Sequence, residues 1–382
     1  MKYAPNFEGD NIEVMEDYER SLGLNNFKQS TINTKLWKVY RFLKYHDNKS
    51  VNQVTKKDVE NYTLYRRKNN KPKTVHNDIV DLRLFFKWLK PDNDFFTNIK
   101  TRTPKNHLPT KEIIMPADVK KLVPSCKSQR DRAIVMSFWD SAARATEILN
   151  LNLGHVEIDR YGAVIVVEGK TGMRRIRLIE AVPDLQAWIN QHPYKDNPNA
   201  PLFVTFRNSN GEPKRLDIRT VQNMLKTAAE DAGIKKNVHP HAFRHGKLTD
   251  LVKRGFKETE LRIIAGWEAD SKMPATYIHL SGEDVEKKML ASYGIIEDES
   301  KIEKLELRPI ECPRCKTKNS YDAKYCSSCS MILDMETAIK HEKEMQTMDE
   351  KMAKMVDSRY EAMVEEKVNL MLKNLLNDDK LV

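Results

Sequence analysis

The sequence predicts a mainly helical α+β protein, on three observations. Apolar residues repeat at helical spacing from about Ser30 to Leu89, with breaks at HDNKS and NNKPK, which predicts about four helices in a small bundle. Residues 162–180, GAVIVVEGKTGMRRIRLIE, alternate on either side of a glycine-containing turn, as a β-hairpin does. Residues 334–382 contain neither glycine nor proline and place methionines three and four residues apart, which is typical of a long amphipathic helix.

Composition divides the 382-residue chain into segments, since its length exceeds that of one ordinary domain. The helical domain is assigned to residues 28–107, after an acid-rich lead-in at 1–27. The mixed domain covers 111–295, with helices expected around its hairpin at 132–151, 184–191, 218–232, 242–254 and 257–266. A cysteine-rich module at 308–332 and the amphipathic tail at 334–382 follow it.

The net charge of +10 is unevenly distributed along the chain. Residues 28–107 carry 19 Lys/Arg against 7 Asp/Glu, whereas residues 330–382 carry 8 against 12. A basic excess confined to one segment indicates a polyanion-binding surface, although a solvated face of a lysine-rich protein gives the same count. The interpretation that we follow is a helical domain that grips a phosphate backbone with basic residues on its exposed faces, such as Lys35, Lys38, Lys73, Arg83 and Lys87.

Neither a membrane span nor a secretory signal is expected. No run of residues approaches the roughly 18 consecutive apolar residues that a membrane-spanning helix needs. The N-terminus, MKYAPNFEGDNIEVMEDYER, has no apolar segment of the kind found in signal peptides. The sequence therefore predicts a cytoplasmic protein without membrane contacts.

Four of the five cysteines form the pattern C-x2-C-x10-C-x2-C, at Cys312, Cys315, Cys326 and Cys329. Two C-x2-C pairs this close can each offer two thiolates to one tetrahedral ion, so the pattern predicts a zinc ribbon with a structural Zn²⁺. A redox role for either pair is the alternative. Cys126 stands apart from the pattern and is expected to be an ordinary free thiol.

The stretch HPHAFRHGKL, residues 239–248, places three histidines around Arg244. A metal site would need acidic or cysteine ligands close by, which the stretch lacks, and a packed helix that happens to carry histidines is a further reading. A phosphate-binding site is the third reading, and other parts of the chain favour it. Arg144 precedes Glu147 by three residues, so both can lie on one helical face, and an arginine oriented by a carboxylate suits bidentate phosphate binding. Lys170 occupies the turn of the predicted hairpin.

Over about residues 28–295 the chain resembles the tyrosine recombinase (phage integrase) family. The family's A-R-x-x-E-I/L pattern matches Arg144 to Glu147, and its G-K turn between two strands matches Lys170. Its H-x-x-R-H motif, its G-H or G-W pair and its Y-x-H ending follow in the family's order, at His241 to His245, Gly266–Trp267 and Tyr277 to His279. Each motif alone is weak, but five motifs in order are specific.

The resemblance implies a DNA breaking and rejoining enzyme, namely a site-specific recombinase that works on double-stranded DNA through a 3′-phosphotyrosine at Tyr277 and a Holliday junction. A phenolate that attacks phosphorus keeps the phosphate bond energy for rejoining. Arg144 and Arg244 would clamp the non-bridging oxygens with their planar guanidiniums, and His241 would hydrogen-bond a phosphate oxygen or assist proton transfer. Lys170 would be the general acid for the departing 5′-oxygen, and catalysis would need no cofactor.

Several neighbouring residues receive other interpretations. Trp267 stands where many members of the family carry histidine, and its indole N–H can donate to phosphate while its ring packs beside the tyrosine. His239 is interpreted as a loop residue, and His245 as a packing or supporting residue. Glu147 is the support for Arg144. Among the tyrosines, Tyr277 is preferred as the nucleophile because Tyr293, Tyr321 and Tyr325 lie at the wrong distance from Gly266.

Two other functions share some of these features. A type IB topoisomerase uses a similar catalytic set as a monomer, and a non-catalytic zinc-ribbon DNA-binding regulator could be built on a retired recombinase. The helical N-terminal domain and the oligomerising tail favour the recombinase, and the intact set of motifs argues against retirement. The family implies self-association as a synaptic tetramer on two DNA sites, and the tail is expected to pair with another helix as a coiled coil. The ribbon is expected to contact flanking DNA or a protein, and its combination with this domain suggests the integrase of an archaeal mobile element.

Overall fold

The computed structural model describes residues 6–101, 112–169, 172–205, 212, 214–277, 286, 289–290, 292–295 and 307–378. The chain divides into two compact units, residues 1–107 and 108–382. Within the described residues, every helix is too short or too polar to span a membrane. The predicted fold class, mainly helical with a small antiparallel sheet, is confirmed.

The first unit is a four-helix bundle: α1 Asn11–Leu24, α2 Gln29–Tyr45, α3 Lys56–Asn69 and α4 Pro72–Leu89. Helix α3 begins at a capping box in which Thr55 and Asp58 each accept a hydrogen bond from the other's backbone N–H, and α4 begins at Pro72. Helix α1 occupies the segment interpreted as a lead-in. Its Met15, Tyr18 and Leu22 are buried in the bundle core, so this segment is part of the unit.

Two of the lysines that we expected on exposed faces of this bundle are instead paired. Lys35 is only 8% exposed, and both it and Lys38 form ion pairs with Asp81 of α4. The expectation of exposure was wrong for Lys35 because its carboxylate partner lies 46 residues away along the chain. Lys73, Arg83 and Lys87 are exposed, as expected.

The second unit is built on a three-stranded antiparallel sheet, in the order β1 Val156–Asp159, β2 Gly162–Gly169 and β3 Gly172–Leu178. The predicted β2–β3 hairpin is present, and Gly169 pairs with Gly172 at its end. The described residues between 112 and 277 form seven α-helices around the sheet: α5 Pro116–Leu122, α6 Gln129–Ser141, α7 Ala145–Leu149, α8 Val182–Asn190, α9 Ile218–Asp231, α10 Pro240–Lys253 and α11 Glu258–Ala265.

Helix α6 runs through the core of this unit. Its residues from Ala133 to Trp139 are all buried, and Phe138 packs beside Phe243 of α10. Of the helix pair or long helical run predicted over 132–151, the structure has the pair, because Ala142 has a left-handed φ of +49° and ends α6. The chain restarts as α7 three residues later, which places Arg144 at the junction of the two helices.

The cysteine-rich module contains a two-stranded antiparallel ladder, β4 Ile310–Glu311 and β5 Lys318–Asn319, and is tied to the second unit. Arg132 of α6 donates to Asp184 at 2.8 Å and to Asp322 of the module at 2.8 Å and 3.0 Å. The Tyr321 hydroxyl donates to the Lys120 carbonyl. After the module, α12 Met335–Asp378 runs for 44 residues, and none of its described side chains is buried.

Candidate active site

Arg144 is held at the α6–α7 junction by a single carboxylate. Glu147, in the first turn of α7, accepts the Arg144 backbone N–H at 2.8 Å and its guanidinium Nη1 at 2.8 Å. Arg144 is the residue that precedes α7, and its backbone is extended. Its contact with Glu147, three residues later, is therefore made at the start of the helix. About a third of the arginine side chain remains exposed, which leaves it accessible to a ligand.

A second arginine, Arg174 of β3, approaches the same carboxylate from the sheet. Its Nη1 and Nη2 donate to the two oxygens of Glu147 at 3.0 Å and 2.6 Å. Burial alone would raise the pKa of Glu147, but the hydrogen bonds from Arg174 and Arg144 outweigh it and lower that pKa to about 2. Glu147 is therefore a permanent anion that fixes two guanidiniums.

Two glycines make room for this cluster. A Cβ on Gly169, at the end of β2, would lie 2.5 Å from Oε1 of Glu147. A Cβ on Gly266, which follows α11 with a left-handed φ of +61°, would lie 2.8 Å from Nη1 of Arg174. A side chain at position 169 would displace the Glu147 carboxylate, and at position 266 the left-handed φ itself favours glycine, which lies against Arg174.

Arg244 of α10 is almost fully buried and joins three elements. Its Nη1 donates to the Ala142 carbonyl at 2.9 Å and its Nη2 to the Ala265 carbonyl at 2.8 Å. Ala142 lies just before Arg144, and Ala265 lies just before Trp267. The Arg244 guanidinium therefore links the α6–α7 junction to the end of α11. Burial, and then the charge of Arg144, lower the pKa of Arg244 to about 10, which leaves it protonated at neutral pH.

Tyr277 ends a short 3₁₀ turn at Pro274–Thr276 and is buried. Its ring stacks on Trp267 at 5.6 Å between centroids and on His245 at 5.5 Å, so it lies between the two. Its hydroxyl is 2.5 Å from Nδ1 of His245. Burial raises the pKa of Tyr277 to about 12 in spite of the opposing charge of Arg244.

The three histidines at the start of α10 have different surroundings. His241 packs edge-to-face against His245, with ring centroids 4.3 Å apart, and its pKa is lowered by burial and then by the charge of Arg244. His239 lies at the residue before the helix. The metal interpretation of the three histidines gains no support, because they form no metal-binding group among the described residues.

The structure brings together six of the sequence-predicted residues, at Arg144, Glu147, His241, Arg244, Trp267 and Tyr277. Lys170 lies outside the described residues; the strand that precedes it, β2, ends at Gly169 beside Glu147. Sequence reasoning missed Arg174, which it treated as a strand residue, and gave His245 only a supporting role. The run Met173-Arg174-Arg175 directly after the hairpin turn was the available signal for Arg174.

A separate cluster lies in the cysteine-rich module. The Sγ atoms of Cys312, Cys315, Cys326 and Cys329 all lie within 4.8 Å of one another. The Sγ atoms of Cys312 and Cys329 are 3.6 Å apart, and those of Cys315 and Cys326 are 3.5 Å apart. Four converging thiols could hold a tetrahedral metal ion.

Comparison with known proteins agrees with this geometry. The sequence model of the phage integrase family matches residues 112–283, and that of the phage integrase N-terminal SAM-like domain matches residues 14–93. A tyrosine recombinase of Thermosipho africanus is 25% identical over 291 residues, which cover 72% of this chain and 96% of that protein. Tyrosine recombinase XerA of Pyrococcus furiosus is 25% identical over 270 residues, 70% of this chain and 88% of that one. Tyrosine recombinase slr0733 of Synechocystis is 34% identical over a shorter stretch of 127 residues, 33% of this chain and 40% of that protein.

Solved structures share the fold. The Tn1549 transposon integrase in complex with circular intermediate DNA matches with a TM-score of 0.56 and 19% identity, over 72% of this chain and 98% of that one. A lambda integrase dimer bound to a COC′ core site matches with a TM-score of 0.55 and 13% identity, over 71% and 95%. The two family models match successive parts of the sequence, one in each unit, and the site residues follow the family's order. This chain therefore belongs to the tyrosine recombinase (phage integrase) family.

Proposed function

We propose that this chain is a site-specific DNA recombinase that cuts and rejoins strands through a phosphotyrosine at Tyr277. The observation that carries the proposal is the buried Tyr277 hydroxyl in one cluster with Arg144, Arg244 and His241. In cleavage, the phenol oxygen would bond to phosphorus and the bond from phosphorus to the 5′-oxygen would break. The bond energy stays in the phosphotyrosine and is returned when a 5′-hydroxyl attacks it.

The charge of the cluster suits a phosphodiester. Two guanidiniums, of Arg144 and Arg174, contact the carboxylate of Glu147, and the third, of Arg244, lies close enough to feel its charge, so the cluster has two positive charges in excess. A phosphate would relieve their mutual repulsion, and the two negative charges of a pentacoordinate phosphorus would do so further. This preference for the transition state is what lowers the barrier.

Each residue has a proposed part. Arg144 and Arg244 bind the non-bridging oxygens, and Glu147 with Arg174 fixes the direction of Arg144. His241 and Trp267 donate to the same phosphate. Lys170, in the turn between β2 and β3, protonates the departing 5′-oxygen. No step requires a metal ion, because the guanidiniums supply the positive charge.

A strand-exchange assay tests the proposal. Two differently labelled duplexes that carry the target site, sought in the DNA that flanks the encoding gene, are mixed with the protein and no added divalent cation. EDTA is kept at a concentration shown to leave any bound metal in place. We expect recombinant strands and a four-way junction intermediate. Relaxation of supercoiled plasmid without exchange would support a type IB topoisomerase instead, and tight binding without cleavage would support a non-catalytic regulator; nothing in the comparisons favours either.

We further propose that the four-cysteine cluster holds a structural Zn²⁺. Four thiolates form a closed tetrahedral set, the ligand type that zinc prefers, and leave no position for a substrate. The ion would hold the module in the shape that presents Asp322 and Tyr321 to the second unit.

Metal removal is therefore expected to destabilise more than the module. Stripping the ion with a strong chelator should lower the melting temperature of the protein by on the order of 5–10 °C, because the Arg132–Asp322 ion pair and the buried Leu307 depend on it. The check is thermal unfolding alongside elemental analysis, with Cys126→Ser as a control that should retain one zinc ion per chain. A fully loaded protein whose melting temperature is unchanged by stripping would contradict this.

The stripe of apolar side chains on α12 is proposed to pair with the same stripe of a second copy. Six side chains on one side of the helix are 50–65% exposed, at Met345, Met348, Met352, Met355, Val356 and Met363. They extend over about 27 Å at 1.5 Å per residue, a long and narrow surface that suits another helix of similar length. Such pairs would add to the contacts of a synaptic tetramer on two DNA sites.

Replacing Met348 and Met355 with lysine is expected to shift the protein toward monomer, because each change places a charge in the apolar seam. Light scattering after size-exclusion chromatography measures the effect. Gln346→Lys with Ala353→Lys adds the same charge on the other side of the helix and should leave the assembly unchanged. Equal behaviour of the two double variants would argue against this seam.

A further inference from the structure

We propose that His245 is the general base that takes the proton of the Tyr277 hydroxyl during cleavage. This inference rests on the proposed function and adds a catalytic residue to it. The Tyr277 oxygen lies 2.5 Å from Nδ1 of His245, which is within direct hydrogen-bond reach, and the two rings are stacked with planes 30° apart. Among the described residues, His245 is the hydrogen-bond partner of the tyrosine hydroxyl.

The protonation states allow transfer in one direction. Burial, with the nearby His241 and Arg244, lowers the pKa of His245 to about 4, so its imidazole is neutral before DNA binds. The phenol, with its pKa raised to about 12, is protonated. The hydrogen bond therefore runs from the tyrosine O–H to Nδ1, and the imidazole is the acceptor.

A bound phosphate changes this balance in favour of transfer. Its negative charge offsets that of Arg244, which together with burial and His241 holds the pKa of His245 down, so the imidazole gains proton affinity. As the phenol oxygen bonds to phosphorus, its negative charge moves to the non-bridging oxygens beside Arg144 and Arg244. The imidazolium that forms is then next to an anion instead of next to uncompensated arginines.

The two histidines on α10 thus have separate parts. His241 and His245 are one helical turn apart, and their rings meet at 4.3 Å. Of the two, His245 forms the hydrogen bond with the Tyr277 hydroxyl. Trp267, which stacks on the tyrosine ring, and the apolar residues Ala142, Leu248 and Leu251, which share its cluster, keep the hydroxyl at that nitrogen.

The step balances without another reactant. The O–H bond of Tyr277 breaks, its proton bonds to Nδ1, and the phenol oxygen forms the new bond to phosphorus. The 5′-oxygen leaves with a proton supplied by the general acid. In rejoining, a 5′-hydroxyl attacks the phosphotyrosine and gives its proton to the deprotonated general acid, and the imidazolium returns its proton to the departing phenol oxygen.

The test compares His245→Asn with His241→Asn on a suicide DNA substrate, by the rate of covalent adduct formation. Asparagine keeps a hydrogen-bonding atom near the position of Nδ1 but cannot accept the proton. We expect His245→Asn to slow cleavage by about 10²–10⁴-fold. A substrate whose 5′-bridging oxygen is replaced by sulfur needs no general acid and should not restore the rate. A fluorinated tyrosine at position 277, whose phenol is more acidic, should restore the rate of His245→Asn in part and that of His241→Asn not at all.

Three results would overturn the inference: a rate for His245→Asn within about threefold of wild type, rescue by the sulfur substrate, or no rescue by the fluorinated tyrosine. DNA binding and the melting temperature of each variant, both expected near the wild-type values, show that the protein is folded. Failure of the proposed function has a different signature, because the wild-type protein itself would then form no adduct.

Discussion

Tyr277→Phe is expected to abolish the covalent protein–DNA adduct and to leave DNA affinity within about twofold of the wild-type value. Phenylalanine keeps the stacking on Trp267 and the packing against Leu248 and Leu251, so the site should remain folded. It lacks the oxygen that bonds to phosphorus, which in the wild-type protein lies 2.5 Å from Nδ1 of His245. The check is a denaturing gel with a nicked suicide substrate, beside a native binding gel.

The matched control is Tyr293→Phe, which removes a hydroxyl from a tyrosine that is 78% exposed. This variant should form the adduct at the wild-type rate. An adduct that persists in Tyr277→Phe would identify another nucleophile and would refute the assignment of Tyr277.

The second large effect is expected at Arg244, where lysine should slow cleavage by about 10²–10³-fold. One ammonium cannot reproduce a guanidinium that donates to the Ala142 and Ala265 carbonyls and also faces a phosphate. The rate should fall much more than the DNA affinity, because the lost interaction strengthens as charge develops on phosphorus. The carbonyl left without a donor should also cost about 1–3 kcal/mol of stability.

Arg130→Lys separates these two losses. Arg130 is also a buried arginine of the second unit that donates to a carbonyl, that of Val204, but it lies at the other end of α6. Its replacement should reduce the free energy of unfolding and leave the cleavage rate of the folded protein near the wild-type value. If both variants lost activity in proportion to stability, Arg244 would be a structural residue only.

Sequence patterns predicted the parts of this site whose geometry is local. The three-residue spacing of Arg144 and Glu147 indicated their contact, and the turn at Lys170 between two strands indicated the hairpin. The four-cysteine spacing indicated one cluster of sulfur atoms. The first two are brought together by a single helix start or turn, and the four cysteines lie within 18 residues of one another, so spacing and turn chemistry were enough.

The parts that were missed depend on long-range packing. Arg174 reaches Glu147 across 27 residues, and His245 reaches Tyr277 across 32. A histidine on a helix gives no indication of which loop will cover it, so His245 could be interpreted only as a packing residue. Lys35 shows the same limit in the first unit, where its partner Asp81 lies on another helix.

The assignment of Tyr277 as the nucleophile depends on which atom becomes joined to DNA. The most direct measurement is mass spectrometry of the trapped adduct after digestion with nuclease and trypsin. Cleavage after Lys272 and Lys287 gives the peptide MPATYIHLSGEDVEK, which contains Tyr277 as its one tyrosine. We predict a nucleotide attached to this peptide, with fragment ions that place it on Tyr277. In the Tyr277→Phe protein, the corresponding peptide should carry no nucleotide. A nucleotide on a peptide that carries Tyr293, Tyr321 or Tyr325 would contradict the account.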